Sequence, residues 1–409
     1  MKKSLIALAV AGAFVAPVAM ADSNVVVYGV ANVSVDVTNT GSNTAGTPGF
    51  SSNKVSSNTS RLGLKGNEDL GNGLTAVWQV ESLISIDGGS NGAAAAPTNG
   101  LATRNTFAGL NGGFGTVLLG RHDTPYKMAT RSYDLFGDTI ADNRAVMGGG
   151  LNTVTAAVPA PNRAPAGTLP TGAAASFDGR QTDVLAYVSP NLGGFTGIVA
   201  YVAGAEGQTL ATQTKGSAWS LAGMYGNGPF SMNLAYEVHD LGTAPGTLGG
   251  GAAGFSLKES AWKLGAGYKA DMFEVNAVYE KTKDNFGGVL AVLGVAPVNA
   301  DLFGHHAYYL SGRVNVTAND AIKLAYGKAG NLAVVGIGGM SNTGAAQASV
   351  GYDHSFTKRT TLYALYTQLS NQANATYALG NAGIGNGNVF LNGAGSKPSA
   401  FSLGVKHSF

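Results

Sequence analysis

The last ten residues, 400–409 (AFSLGVKHSF), place Phe401, Leu403, Val405 and Phe409 on one face and Ser402, Gly404, Lys406 and Ser408 on the other. Side chains of a β-strand point to alternate faces, so this pattern predicts a strand with one apolar and one polar surface. Ten residues is about the length with which a tilted strand crosses an outer membrane. Many similar segments precede it. The pattern therefore favours a transmembrane antiparallel β-barrel over a soluble β-sandwich.

Residues 1–21 predict a secretory signal peptide. Lys2 and Lys3 precede an apolar stretch that ends in Ala19-Met20-Ala21, an A-x-A cleavage site. A membrane-anchoring helix is disfavoured because the stretch is short and no stop-transfer pattern follows it. The sequence thus predicts two regions, a signal peptide at 1–21 and one barrel domain at 22–409.

Composition agrees with a single closed barrel. The chain has 409 residues, of which 61 are glycine and 12% are charged, and no linker divides it. Without Lys2 and Lys3, the 25 basic residues become 23, equal to the 23 acidic residues, so net charge indicates no partner. No basic, aromatic surface for nucleic acid is present. The absence of cysteine suits a barrel, whose backbone hydrogen bonds are satisfied between strands.

Alternation with a period of two predicts about sixteen strands joined by short and long connections in turn. Short turns are predicted near 70–73, 111–115, 190–193, 227–229, 270–272, 317–320 and 356–358. Long connections are predicted near 38–58, 87–101, 123–178, 206–215, 241–256, 284–303, 330–344 and 371–396. Periplasmic turns on one rim and extracellular loops on the other produce this alternation.

The third long connection, 123–178, is the longest. Its first part is rich in charged residues, and its second part, 151–176, is rich in Ala, Pro, Gly and Thr. A loop of this length is usually functional or disordered. The charged first part suggests a functional segment, and the composition of the second part suggests a disordered one.

Several segments together resemble the general diffusion porins of Gram-negative outer membranes, most closely the neisserial and burkholderial group. They are 25–37 (VVVYGVANVSVDV), 61–81 (RLGLKGNEDLGNGLTAVWQVE), 104–121 (RNTFAGLNGGFGTVLLGR), 180–194 (RQTDVLAYVSPNLGG) and 404–409 (GVKHSF). The resemblance implies a homotrimer of sixteen-stranded barrels among outer-membrane lipid and lipopolysaccharide, with the third loop folded into the lumen. It also implies that the barrel-assembly machinery reads the aromatic residue Phe409.

The resemblance places Arg61, Arg104 and Arg180 in the arginine cluster of a pore constriction. The alternation of side chains along the strand independently predicts that Arg61 points into the lumen. Lys65 falls on the same face and is a weaker candidate for the pore wall. Arg104 is also predicted to point inward, on the face opposite Phe107. Inward placement of Arg180 would turn Gln181 and Asp183 outward.

Residues 133–138 (YDLFGD) lie where such porins carry a Pro-acid-Phe-Gly motif, but the proline is missing and the acid is displaced by one residue. Asp134 and Asp138 are therefore candidates for the acidic side of the constriction. Arg131 is a third loop candidate, and Arg144 a weaker one. These two arginines predict a more basic constriction and a mild preference for anions.

Arg121 is predicted to lie on the outward, apolar face of its strand, together with Leu119. It is predicted either to form a subunit contact, near the second loop of a neighbouring barrel, or to lie above the membrane at the base of the third loop.

The sequence predicts a passive, water-filled channel for small hydrophilic solutes and inorganic ions, without cofactor or metal. His305 and His306 are adjacent, so their side chains diverge, and no thiols are present. A substrate-selective channel of the same fold is the nearest alternative. An outer-membrane enzyme, for which His354 beside Asp353 could be considered, and an adhesin remain rivals.

Overall fold

The computed structural model describes residues 24–87, 101–148, 177–204, 216–243, 256–285, 300–301, 303–333, 341–380 and 393–409. The predicted signal peptide and segment 151–176 lie outside these residues. In chain order the elements are β1 Asn24–Asn39, β2 Ser51–Ser57, β3 Arg61–Gly71, β4 Leu74–Leu83, β5 Thr106–Gly112, β6 Gly115–Asp123, α1 Pro125–Thr130, β7 Arg180–Val188, β8 Phe195–Gly204, β9 Gly216–Asn227, β10 Phe230–Thr243, β11 Ser256–Lys269, β12 Phe273–Asp284, β13 His306–Asn315, β14 Asp320–Ala329, β15 Ala345–Ser355, β16 Thr360–Asn371 and β17 Ser399–Ser408.

Sixteen antiparallel strands form a closed barrel. β1 pairs with β17 and so closes the sheet. β2 and β3 pair with successive parts of β1, 33–39 and 24–30, so they are two halves of one wall strand interrupted at residues 58–60. Thr59, with φ 52°, turns the chain at the interruption. The predicted first long connection, 38–58, was therefore too long, because 51–57 belong to the wall.

The two faces of the wall differ as the alternation predicts. In β17, Phe401 is 48% exposed and Ser402 only 1%. In β1, Val35 is 53% exposed, whereas Asp36 is buried. The apolar face is the outer one, and the polar face points inward.

The seven predicted short turns are confirmed. They connect β3 to β4, β5 to β6, β7 to β8, β9 to β10, β11 to β12, β13 to β14 and β15 to β16. Between β3 and β4 only Asn72 and Gly73 remain, with φ 52° and 75°. Two positive φ angles are what a two-residue hairpin requires, which is why an Asn-Gly pair occurs here.

α1 and the residues after it pack against the inner face of the barrel. Phe136, Ile140 and Val146 from this connection are buried in one apolar cluster with Tyr309 and Leu365 of the wall. Among the described residues, no helix is long and apolar enough to cross a membrane.

Candidate pore constriction

The described first part of the third connection, residues 124–148, is called here the loop segment. The Tyr309 hydroxyl donates to Asp134 Oδ1 at 2.7 Å, and the Tyr133 hydroxyl donates to Ser231 at 2.8 Å. Asn32 Nδ2 donates to the carbonyl of Asp138 at 2.8 Å. These wall partners belong to the polar, inward set of β1, β10 and β13, so the loop segment lies against the inner face.

Local sequence explains how the loop segment begins. Thr124 caps α1 by accepting a hydrogen bond from the backbone N–H of Lys127, at 3.3 Å, and Pro125 occupies the first turn, where no N–H is needed. A 3₁₀ turn at Arg131–Tyr133 follows. Asp138 has φ 61°, a left-handed conformation that Asp tolerates better than most residues.

Arg131 binds three acids of the loop segment. Its guanidinium lies 3.3 Å from Asp134 Oδ2, 3.0 Å from Asp138 Oδ1 and 2.7 Å from Asp142 Oδ2. Arg144 Nε lies 2.9 Å from Asp142 Oδ1. The predicted excess of positive charge from Arg131 and Arg144 is therefore wrong, because Asp134 and Asp142 compensate both guanidiniums.

The three acids have different electrostatic environments. Burial, followed by repulsion from Asp142, raises the pKa of Asp134 to about 6. Burial also disfavours the charge of Asp142, but Arg131 and Arg144 hold its pKa well below the usual range. The side chains of Asp134 and Asp142 are completely buried, whereas that of Asp138 is 23% exposed. Asp138 is thus the most exposed acid of this set, and Asp134 connects the loop segment to Tyr309 of the wall.

Arg61 and Arg104 meet on the wall at Glu81, an acid that the sequence pattern did not predict. Arg104 Nε lies 2.5 Å from Glu81 Oε1, and Arg61 Nε lies 3.7 Å from Glu81 Oε2. The Tyr28 hydroxyl also donates to Glu81 Oε2, at 3.1 Å. Register could have identified Glu81, because it pairs with Gly63 on the inward face that Arg61 shares.

Arg180 joins the same region through a neighbouring acid. Its Nη2 lies 3.0 Å from Asp123 Oδ1, and its Nε donates to Asn105 Oδ1 at 2.6 Å. Lys127 Nζ also lies 2.8 Å from Asp123 Oδ1. Burial lowers the pKa of Lys127 to about 8, although Asp123 partly offsets this effect.

Two predicted orientations near these arginines are wrong. Phe107 lies on the inner face, where it packs beside the buried Leu118 and Val184. Gln181 is 2% exposed instead of turning outward, because the β6–β7 register shifts between Gly120 and His122.

The remaining predicted residues lie outside this centre. The Lys65 ammonium lies 5.2 Å from the ring centre of Tyr28, on the inner face. Arg121 pairs with Thr106 in the β5–β6 register, on the outward face of the exposed Leu119. Its Nε is buried and has no hydrogen-bond partner within the described chain.

The described residues contain no group of three His, Cys, Asp or Glu side chains suited to a metal ion. Asp353 and His354 do not form a catalytic pair. Asp353 Oδ1 lies 2.8 Å from Lys323 Nζ, whereas His354 Nδ1 lies 2.7 Å from Asp320 Oδ1.

Comparisons with known proteins agree with this architecture. Residues 7–374 match the sequence profile of the Gram-negative porin family. Outer membrane porin protein 32 of Delftia acidovorans is 30% identical over all of both chains. The major outer membrane protein P.IB of Neisseria sicca is 38% identical over 156 residues, covering 38% of this chain and 40% of that protein.

A solved structure, the anion-selective porin from Comamonas acidovorans, has a TM-score of 0.69 at 24% identity, with 95% of this chain and 100% of that chain covered. The family match spans most of the sequence, and the barrel has the same fold as that porin. The chain belongs to the Gram-negative porins, the channel-forming barrels of the outer membrane.

Proposed function

We propose that this porin passes small hydrophilic solutes and inorganic ions by passive diffusion with a mild preference for anions, through a constriction formed by the wall arginines and the loop segment. The observation that carries the preference is the contact of Arg61 and Arg104 with one shared acid, Glu81. Two guanidiniums and one carboxylate leave positive charge on that part of the wall.

The full charge inventory supports a mild preference. Six cations, Arg61, Arg104, Lys127, Arg131, Arg144 and Arg180, are connected by ion pairs to five acids, Glu81, Asp123, Asp134, Asp138 and Asp142. The separation of wall guanidiniums from loop carboxylates produces a transverse field across the lumen, which orients water and dipolar solutes. The similar porin from Comamonas acidovorans is described as anion-selective, which agrees with this proposal.

The proposal includes the assembly inferred from family resemblance. The chain works as a homotrimer among lipid and lipopolysaccharide, after removal of residues 1–21 and insertion by the barrel-assembly machinery. The outward placement of Arg121, on the face of the exposed Leu119, supports a protein contact there, since a guanidinium facing lipid costs several kcal/mol.

Planar-bilayer recording of the native protein tests the proposal. In a KCl gradient the zero-current potential should indicate chloride permeability about twofold to fivefold above that of potassium. A potassium-preferring channel contradicts the anion preference. A conductance that saturates strongly with one class of solute would favour the substrate-selective channel as the alternative. Hydrolysis of lipid or peptide by the pure protein would favour an enzyme, which we do not expect.

A further inference from the structure

A second group of cations lies between the loop segment and the short-turn rim. Arg313, Lys323, Lys358, Arg359 and Lys406 line a cavity of about 310 Å³. They come from β13, β14, the β15–β16 turn and β17. We call this cavity the vestibule pocket. It is separate from the constriction arginines Arg61, Arg104 and Arg180, none of which lines it.

Cations outnumber acids in the vestibule pocket. Its two acidic lining residues are Asp134 and Asp353. Asp353 pairs with Lys323 at 2.8 Å, and the buried Asp134 carboxylate is bound by Arg131 and by the Tyr309 hydroxyl.

The other cations lack such compensation. Within the described chain, Lys358, Arg359 and Lys406 have no carboxylate within the 4.0 Å of an ion pair. Positive charge therefore remains available to a solute in the vestibule pocket.

The vestibule pocket also continues from the constriction. Lys406 is within electrostatic range of Arg61 and Asp138 on one side and of Lys323 and Asp353 on the other. Lys406 therefore links the two groups of cations, and Asp138, which pairs with Arg61, is the acid that an anion passes on this path. Thr361 and Ser408 supply further hydroxyl groups to the lining.

We propose that the vestibule pocket is a second anion subsite, which favours small oxyanions carrying two or more negative charges, of the inorganic phosphate class. This inference rests on the proposed anion preference and extends it. A multivalent oxyanion can engage several cations and hydroxyl donors at once, whereas chloride offers a single charge and no separate oxygens. The cavity has room for such an ion with part of its water shell, since one water occupies about 30 Å³.

The test measures chloride conductance of the native porin in planar bilayers while inorganic phosphate is titrated at pH 8. Phosphate should reduce the conductance in a saturable way. The double variant Lys358→Gln/Arg359→Gln changes exposed turn residues. It should raise the half-inhibiting phosphate concentration about threefold to tenfold. Lys358→Arg/Arg359→Lys, which keeps both charges, should restore inhibition.

Lys328→Gln is the matched control, because Lys328 lies on β14 with Lys323 but is exposed on the opposite face. It should titrate as the native channel does. Insensitivity of the native conductance to phosphate overturns the subsite, as does a native titration curve for Lys358→Gln/Arg359→Gln.

The zero-current potential in KCl, measured on the same channels, separates the two proposals. Chloride preference without a phosphate effect overturns only the subsite. Potassium preference of the native channel overturns the proposed function and the subsite together.

Discussion

Arg61 and Asp138 join the barrel wall to the loop segment: Nη1 of Arg61 lies 3.5 Å from Oδ2 of Asp138, although 77 positions separate them in sequence. One is the wall arginine predicted from parity, and the other is the most exposed of the three acids around Arg131. Their contact marks where the positive and negative sides of the proposed constriction meet.

Asp138→Asn should increase chloride preference, because it removes the loop charge that faces the wall. Asn tolerates the positive φ of this position, so folding should be preserved. We expect the chloride-to-potassium permeability ratio to rise about twofold to fivefold, measured from zero-current potentials. Asp271→Asn, an exposed change in the turn between β11 and β12, should leave the ratio unchanged.

Asp142→Asn should destabilise the loop segment. The change leaves Arg131 and Arg144 without their shared buried acid, and breaking a buried pair costs about 3 kcal/mol. Proteolysis and single-channel noise in folded protein should report a looser loop. Asp240→Asn disrupts the exposed pair with Lys258 and should cost less than about 1 kcal/mol. Equal resistance to protease in the native and Asp142→Asn proteins would contradict this role of Asp142 in holding the loop segment.

Anion preference should rise as pH falls through about 6, where Asp134 takes up a proton and the loop segment loses a negative charge. Because the pKa of Asp134 is raised from 3.8, the folded chain binds this proton more readily than the unfolded chain does. Its titration therefore stabilises the folded state as pH decreases from about 6 towards 3.8, and this contribution is lost as pH rises again.

Zero-current potentials measured between pH 7.5 and 5 test this expectation. Asp134→Asn should lack the corresponding step, while the contribution of histidines remains in both proteins. Parallel pH curves for the two proteins would show that Asp134 does not titrate in this range.

Glu81→Gln should strengthen chloride preference, because it frees Arg61 and Arg104 from their shared carboxylate. Gln keeps the size and can still accept the hydrogen bond from Tyr28. The permeability ratio in a KCl gradient should change in the same direction as for Asp138→Asn. An unchanged ratio would mean that these guanidiniums do not control permeation.

The sequence predicted the wall well because strand parity and turn chemistry are local. Leu62 and Leu64 are exposed on the outer face, opposite Arg61, as the alternation indicates. β2 was missed, because the sequence SSNKVSS has almost no apolar face and becomes a strand only by pairing with β1.

The site was less predictable, because its ion pairs join distant residues. The alternation failed at Phe107, because Arg104 precedes the start of β5 at Thr106 and the strand pattern does not extend back to it. The pairing of Arg131 with Asp142, eleven positions away, depends on the path of the loop segment. No periodic signal in the sequence encodes that path.

The central claim is tested most directly by the zero-current potential of Arg61→Ser/Arg104→Ser in a KCl gradient, with Lys328→Gln as the outward-facing control. Glu81 remains on the wall without either guanidinium. We therefore expect a shift towards cation selectivity of about fivefold in the permeability ratio. The shift should fade at molar salt, where screening acts over about 3 Å. Folded protein with unchanged conductance and zero-current potential would contradict a constriction governed by these arginines.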